Sequence, residues 1–161
     1  MNRAPVISDI PDTLLNEGDT LNIPITYSDP DADSLTFLFA NFPLFAAFTD
    51  SGNGNATLQL SPGFFDGGVY DSIRVVAVDS SAENGLDALS DTTIFSVVVN
   101  DVNRAPSISV IPDTVVNEGD TLLIPFTAAD ADSQQLTFSV NNLPAFAEFA
   151  DSGDGSGFLK F

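Results

Sequence analysis

Leu21, Ile23, Ile25 and Tyr27 alternate with other positions across Thr20–Tyr27, the two-residue period of a strand with one buried face. Similar alternation recurs along the chain. Val6–Ile10 reads as a short strand, closed by a Pro11-Asp12 break, and Asn16-Glu17-Gly18-Asp19 reads as a turn into the next strand. Leu35–Phe39 and Ala56–Leu60 are further strands, with Ser51-Gly52-Asn53-Gly54 the turn before the second. Phe42–Phe48 is rich in Phe but interrupted by Pro43, so it is expected to be an irregular crossing packed on the core. Pro24 falls in the outward register and should sit at an edge or where its missing N–H is not needed. Ile73, Val75, Ala77 and Asp79 alternate toward the end of another strand, with Tyr70 one residue out of phase. A β-bulge between Tyr70 and Ile73 would absorb the extra residue. Ser80–Asp91 is a polar loop with room for a turn or two of helix over Ala82–Leu89, and Phe95, Val97 and Val99 line the closing strand. Seven short strands separated by turn signals predict an all-β, two-sheet sandwich.

The pattern is stated twice. Residues Asn2–Leu60 and Asn103–Phe161 align without a gap, and 34 of 59 positions are identical. A self-match at this spacing is the signature of a tandem array with one β-domain per unit. The expected organisation is a complete repeat over residues 2–102 and the N-terminal part of a second, truncated repeat over 103–161. The second copy lacks the strands equivalent to Ile73–Asp79 and Ile94–Val99. It is therefore expected to be disordered, paired strand to strand with another copy, or completed by an added strand. Both copies open on Asn-Arg-Ala-Pro, and proline there predicts a short, semi-rigid junction.

Charge narrows the partners. The 161 residues carry 23 Asp and Glu against four Lys and Arg, a formal charge of −19. Such a surface does not track phosphates, so neither nucleic acid nor an anionic membrane is an expected partner. Carboxylates at this density repel unless cations or salt intervene. There is no Cys, His or Trp, which removes disulfides, thiolate metal sites and imidazole bases. The serines have no histidine to activate them, and the paired carboxylates sit in loops that recur at the repeat spacing. No catalytic residue is assigned, and the chain reads as a non-enzyme. Met1 lies on a repeat boundary, so any export signal or anchor is expected to lie outside this stretch.

Four motifs, taken together and in order, resemble bacterial cadherin-like repeats, closest to the dystroglycan-type or immunoglobulin-like domains of large adhesins and secreted enzymes. They are Pro-Asp-Thr-(x)2-Asn-Glu-Gly-Asp-Thr-Leu, Asp-Pro-Asp-Ala-Asp-Ser-Leu-Thr-Phe, Pro-Gly-Phe-Phe-Asp-Gly-Gly-Val-Tyr and Val-Asn-Asp-Val-Asn-Arg-Ala-Pro. The resemblance implies a seven-stranded Greek-key sandwich of immunoglobulin-like or cadherin-like type, in tandem, on a bacterial cell surface or outside the cell. It also implies calcium at the repeat junction. Carried over by position, the ligands would be Glu17, Asp66, Asp101, Asn103, Asp130 and Asp132, with carbonyls and water completing the six to eight oxygens that calcium takes. Asp29, Asp31 and Asp33 would face a preceding junction. Arg104-Ala105-Pro106 stands where animal cadherins carry a second acidic cluster, which implies fewer ions. The function so implied is an extracellular spacer or adhesion repeat whose partners are neighbouring repeats. The alternative is a module that itself binds a cell-surface protein or glycan.

Overall fold

The computed structural model describes residues 2–80 and 88–161. They fall into two compact units, Met1–Val102 and Asn103–Phe161. Unit 1 contains β1 (Val6–Ile7), β2 (Thr13–Asn16), β3 (Leu21–Ser28), β4 (Leu35–Ala40), β5 (Ala46–Gly52), β6 (Asn55–Leu60), β7 (Gly68–Asp79) and β8 (Ser90–Asn100). These form two four-stranded sheets, in the orders β1-β3-β6-β5 and β2-β8-β7-β4. All pairings are antiparallel except that of β2, which runs parallel to β8.

β1 and β2 are two halves of one opening strand. Between them Pro11 lacks the N–H that a continuous ladder needs, and the chain crosses from β3 in one sheet to β8 in the other. With that strand counted once, the seven strands and their sheet orders are those of an immunoglobulin-like Greek-key sandwich. The two sheets meet over Ile25, Leu58 and Leu60 from one side and Ile73, Val75, Ala77, Phe95, Val97 and Val99 from the other, each at most 3% exposed.

Local chemistry explains the details. The register slips between Tyr70 and Ile73 as the phase of the sequence requires, so Tyr70 opposes Val97 while Ile73 opposes Phe95. Asn53 and Gly54 both have positive φ, 54° and 79°, the two-residue primed turn that matches strand twist. Pro24 faces β6 opposite Thr57, and β1 reaches only Tyr27 and Ser28, so its flank needs no donor there. Two expectations are corrected. The expected irregular crossing over Phe42–Phe48 gives way from Ala46 to a strand, Ala46–Gly52, whose pairing with β6 is in register from Ala46 to Asp50 and shifts only between Asp50 and Gly52. Asp91 belongs to β8 rather than to the preceding loop. The turn or two expected over Ala82–Leu89 falls largely on residues outside the described ones.

Unit 2 contains β9 (Ser107–Ile108), β10 (Leu123–Ala129), β11 (Glu148–Asp151) and β12 (Ser156–Lys160), in one sheet of order β11-β12-β10-β9. This reproduces the β5-β6-β3-β1 sheet. The segments matching β2 and β4 form no strand; in unit 1 these pair with β8 and β7, for which residues 103–161 hold no counterpart. Phe126 is 5% exposed and stacks near Phe138 and Phe149, whereas Val110 and Val115 are about as exposed as free side chains, at 90% and 93%. Among the described residues of both units no helix is long and apolar enough to cross a membrane.

Candidate functional site

β3 ends at Ser28, and Asp29 folds the following loop around its own carboxylate. Its Oδ1 accepts the N–H groups of Asp31 at 2.7 Å and Asp33 at 3.2 Å, and Ala32 takes a left-handed φ of 61°. Asp31 is turned to a different partner. Arg3 donates to it through its backbone N–H at 2.8 Å and through Nε and Nη2 at 3.0 and 2.6 Å, while Nη2 also donates to the Pro30 carbonyl.

Asp79 enters from the other sheet. It continues the inward series Ile73, Val75 and Ala77, so the register that buries those side chains buries a carboxylate as well, to 4% exposure. Its pairing opposite Leu35 sets it beside the exit of the Asp29 loop. Asp79 Oδ1 accepts the Leu89 N–H at 2.9 Å, and Oδ2 accepts Nδ2 of Asn2 at 2.9 Å.

Asp29, Asp33 and Asp79 each bring a carboxylate oxygen within 4.8 Å of the other two. At that separation, like charges near a protein surface repel by roughly 3–4 kcal/mol per pair. Among the described residues, Asp29 Oδ2 is the buried side-chain polar atom left without a hydrogen bond. A hard divalent cation fits this donor set. Calcium–oxygen distances of about 2.3–2.6 Å allow ligand oxygens up to roughly 5 Å apart around one ion. The sequence signal for Asp79 was an acidic residue in a buried strand register.

The six residues implied by the family resemblance fall in two groups. In unit 1, Glu17 is 4% exposed and accepts the N–H groups of Gly67 at 2.8 Å and Val102 at 3.2 Å, one on each oxygen. Asp101 lies against the same glycine: a side chain on Gly67 would meet Glu17 Oε1 at 3.1 Å and Asp101 Cβ at 3.6 Å. Asp66 Oδ2 caps the turn by accepting the Gly63 N–H at 2.7 Å, and its carbonyl accepts the Tyr70 hydroxyl at 3.0 Å. Burial, then the charges of Asp66 and Glu17, raise the Tyr70 phenol above its ordinary pKa. In unit 2, Asn103 Oδ1 accepts Gln134 Nε2 at 2.5 Å, and Asp130 Oδ1 accepts the N–H groups of Asp132 and Gln134. Asp132 repeats the arginine clamp, with the Arg104 backbone N–H at 2.5 Å, Nε at 2.8 Å and Nη2 at 2.6 Å.

Side-chain hydrogen bonding from Arg104 holds the Asp132 carboxyl below the usual carboxylate range. A depressed folded-state pKa means that the clamp contributes stability above the unfolded pKa and loses it as pH falls through the lower folded value. In an NMR titration the Asp132 carboxyl is expected to titrate below an ordinary aspartate. In Arg104→Gln it should return to the ordinary range, and an unchanged midpoint would refute the clamp as the cause.

No family model matches the chain. Chitinase A of Pseudoalteromonas piscicida is 30% identical over 140 residues, which cover 86% of this chain and 16% of that protein. Among solved structures, an endo-fucoidan hydrolase from glycoside hydrolase family 107 aligns with 98% of this chain and 24% of its own, at 17% identity and a TM-score of 0.46. The M1 domain from titin aligns with 62% of this chain and 98% of its own, at 15% identity and a TM-score of 0.43.

Proposed function

We propose that the chain is a run of non-catalytic spacer repeats in a larger secreted or surface protein, with unit 1 stiffened by a calcium ion at Asp29, Asp33 and Asp79. The single observation that carries this reading is the convergence of those three carboxylates, one of them with a buried, unpartnered oxygen. The near-duplication of the units supports a role in which copies are added in series, and the repeated Arg–Asp clamp keeps each opening segment on its loop. The likeness to a short stretch of Chitinase A supports a parent protein that acts on chitin. An ion that binds only the folded unit stabilises it by mass action. With affinities of about 10⁻⁴–10⁻³ M, typical of extracellular modules, about 5 mM calcium adds roughly 1–2 kcal/mol. For a unit of this size that raises Tm by several degrees. Melting in calcium, in magnesium and in chelator tests this: the unit 1 transition should rise in calcium and not in magnesium. Identical curves under all three conditions would reject the ion.

A second reading is favoured by one feature. A cleft of about 660 Å³ beside the carboxylates is lined by Tyr27, Ser28, Asp33, Asp50 and Asn53 among others, with the Tyr27 hydroxyl donating to Asp50 at 2.5 Å. Its polar donors and acceptors suit a saccharide. Calorimetry with soluble chito-oligosaccharides discriminates the two: saturable heat abolished by Tyr27→Phe favours a glycan-binding module, and no heat leaves the spacer.

A further inference from the structure

The two units carry loops of matched geometry that differ in formal charge at one position. Asp29 and Asp130 fold their loops around the same pair of backbone N–H groups. Ala32 and Ser133 take the same left-handed conformation, with φ of 61° and 60°. Arg3 grips Asp31 as Arg104 grips Asp132, down to the bond from each Nη2 to the carbonyl before the aspartate. That clamp occupies one aspartate of each loop with a built-in cation. Within the loop the charge changes at position 33, where unit 2 has Gln134; Asp79, on β7, also has no counterpart within residues 103–161.

The consequence is chemical. Gln134 removes a carboxylate and supplies a donor, and its Nε2 donates to Asn103 Oδ1 at 2.5 Å. The matching asparagine of unit 1, Asn2, is turned to Asp79. The buried oxygen without a hydrogen bond is on Asp29, whereas Asp130, its counterpart, shows none. The unpartnered oxygen occurs in the loop that carries the extra carboxylate and lies beside Asp79.

We propose that this position decides whether the loop requires a divalent cation. Asp33 makes the unit 1 loop an oxygen site for a calcium-class ion, and Gln134 closes the unit 2 loop with a neutral amide clasp onto Asn103 that takes no ion. The inference rests on the calcium reading above and adds the residue that switches it. In Asp33→Gln the new amide is expected to donate to Asn2 Oδ1, the counterpart of Asn103 Oδ1, so that the variant copies the unit 2 arrangement into unit 1.

The experiment compares the wild-type chain with Asp33→Gln and Asp33→Ala, by calcium calorimetry and by melting in chelator. Wild type should bind calcium, and both variants should bind it at least tenfold more weakly. In chelator, Asp33→Gln should melt at or above wild type and above Asp33→Ala, because it alone gains the clasp. Wild-type-like calcium binding by either variant overturns the switch while leaving the calcium site intact. An Asp33→Gln chain that unfolds in chelator, or melts with Asp33→Ala, overturns the clasp. A wild-type chain that binds no calcium ends both this inference and the reading beneath it.

Discussion

Glu17→Ala is expected to destabilise unit 1 by roughly 2–5 kcal/mol, because it removes two part-buried hydrogen bonds to a charged acceptor, from the Gly67 and Val102 N–H groups, and bonds of this kind contribute about 1.5–3 kcal/mol each. The carboxylate joins three stretches far apart in sequence: the end of β2, the turn before β7 and the segment that leaves β8. Glycine at position 67 eases this approach, since an added Cβ would stand 3.1 Å from Glu17 Oε1 and the carboxylate would have to give by a few tenths of an ångström. Glu17→Gln keeps one acceptor oxygen and loses the other, so its cost should fall between alanine and wild type. Urea unfolding of the whole chain, followed through the unit 1 transition, measures both. If Glu17→Ala left stability unchanged but weakened calcium binding, the residue would be an ion ligand rather than a strut.

Phe95→Ala is expected to cost about 3–5 kcal/mol, the usual range for emptying a buried aromatic site. Phe95 is 2% exposed on β8, opposite Ile73 at the first pair after the bulge, and packs in the shared core of the two sheets. Against a typical domain stability of about 5–15 kcal/mol this is a large fraction. The midpoint of urea unfolding should fall with little change in slope. A loss below about 1 kcal/mol would mean that the core around β8 collapses onto the space, which its rigid strand pairing on both sides opposes. By comparison Leu14, on the solvent side of β2, is 66% exposed, and Leu14→Ala should stay within about 0.5 kcal/mol of wild type.

Much of the sandwich was legible because strand burial has a period of two. Where that period held, at Ile73–Asp79 and at Phe95–Val99, the strands lie where the pattern places them, and a phase slip at Tyr70 was enough to locate a bulge. The pattern was weak where pairing is non-local. β2 has four residues between turn-forming segments, and its strand character comes from running parallel to β8, more than eighty positions later. Phe42–Phe48 looked irregular because Pro43 interrupts it, yet β6 supplies a partner at every position from Ala46 to Asp50. The candidate site divides in the same way. The acidic loop at Asp29 was visible as a loop, and Asp79 as the end of an alternating strand. Their meeting depends on the β4–β7 register, which no local pattern encodes.

By itself the chain determined its repeat, its β-character and its dense negative charge, because alternation, turn chemistry and ionisation are local properties of residues and their neighbours. Which carboxylates face one another was decided only when distant strands paired. Folding drew Asp79 to Asp29 and Asp33 because burying Ile73, Val75 and Ala77 fixes the direction of every second side chain on that strand, the acidic one included.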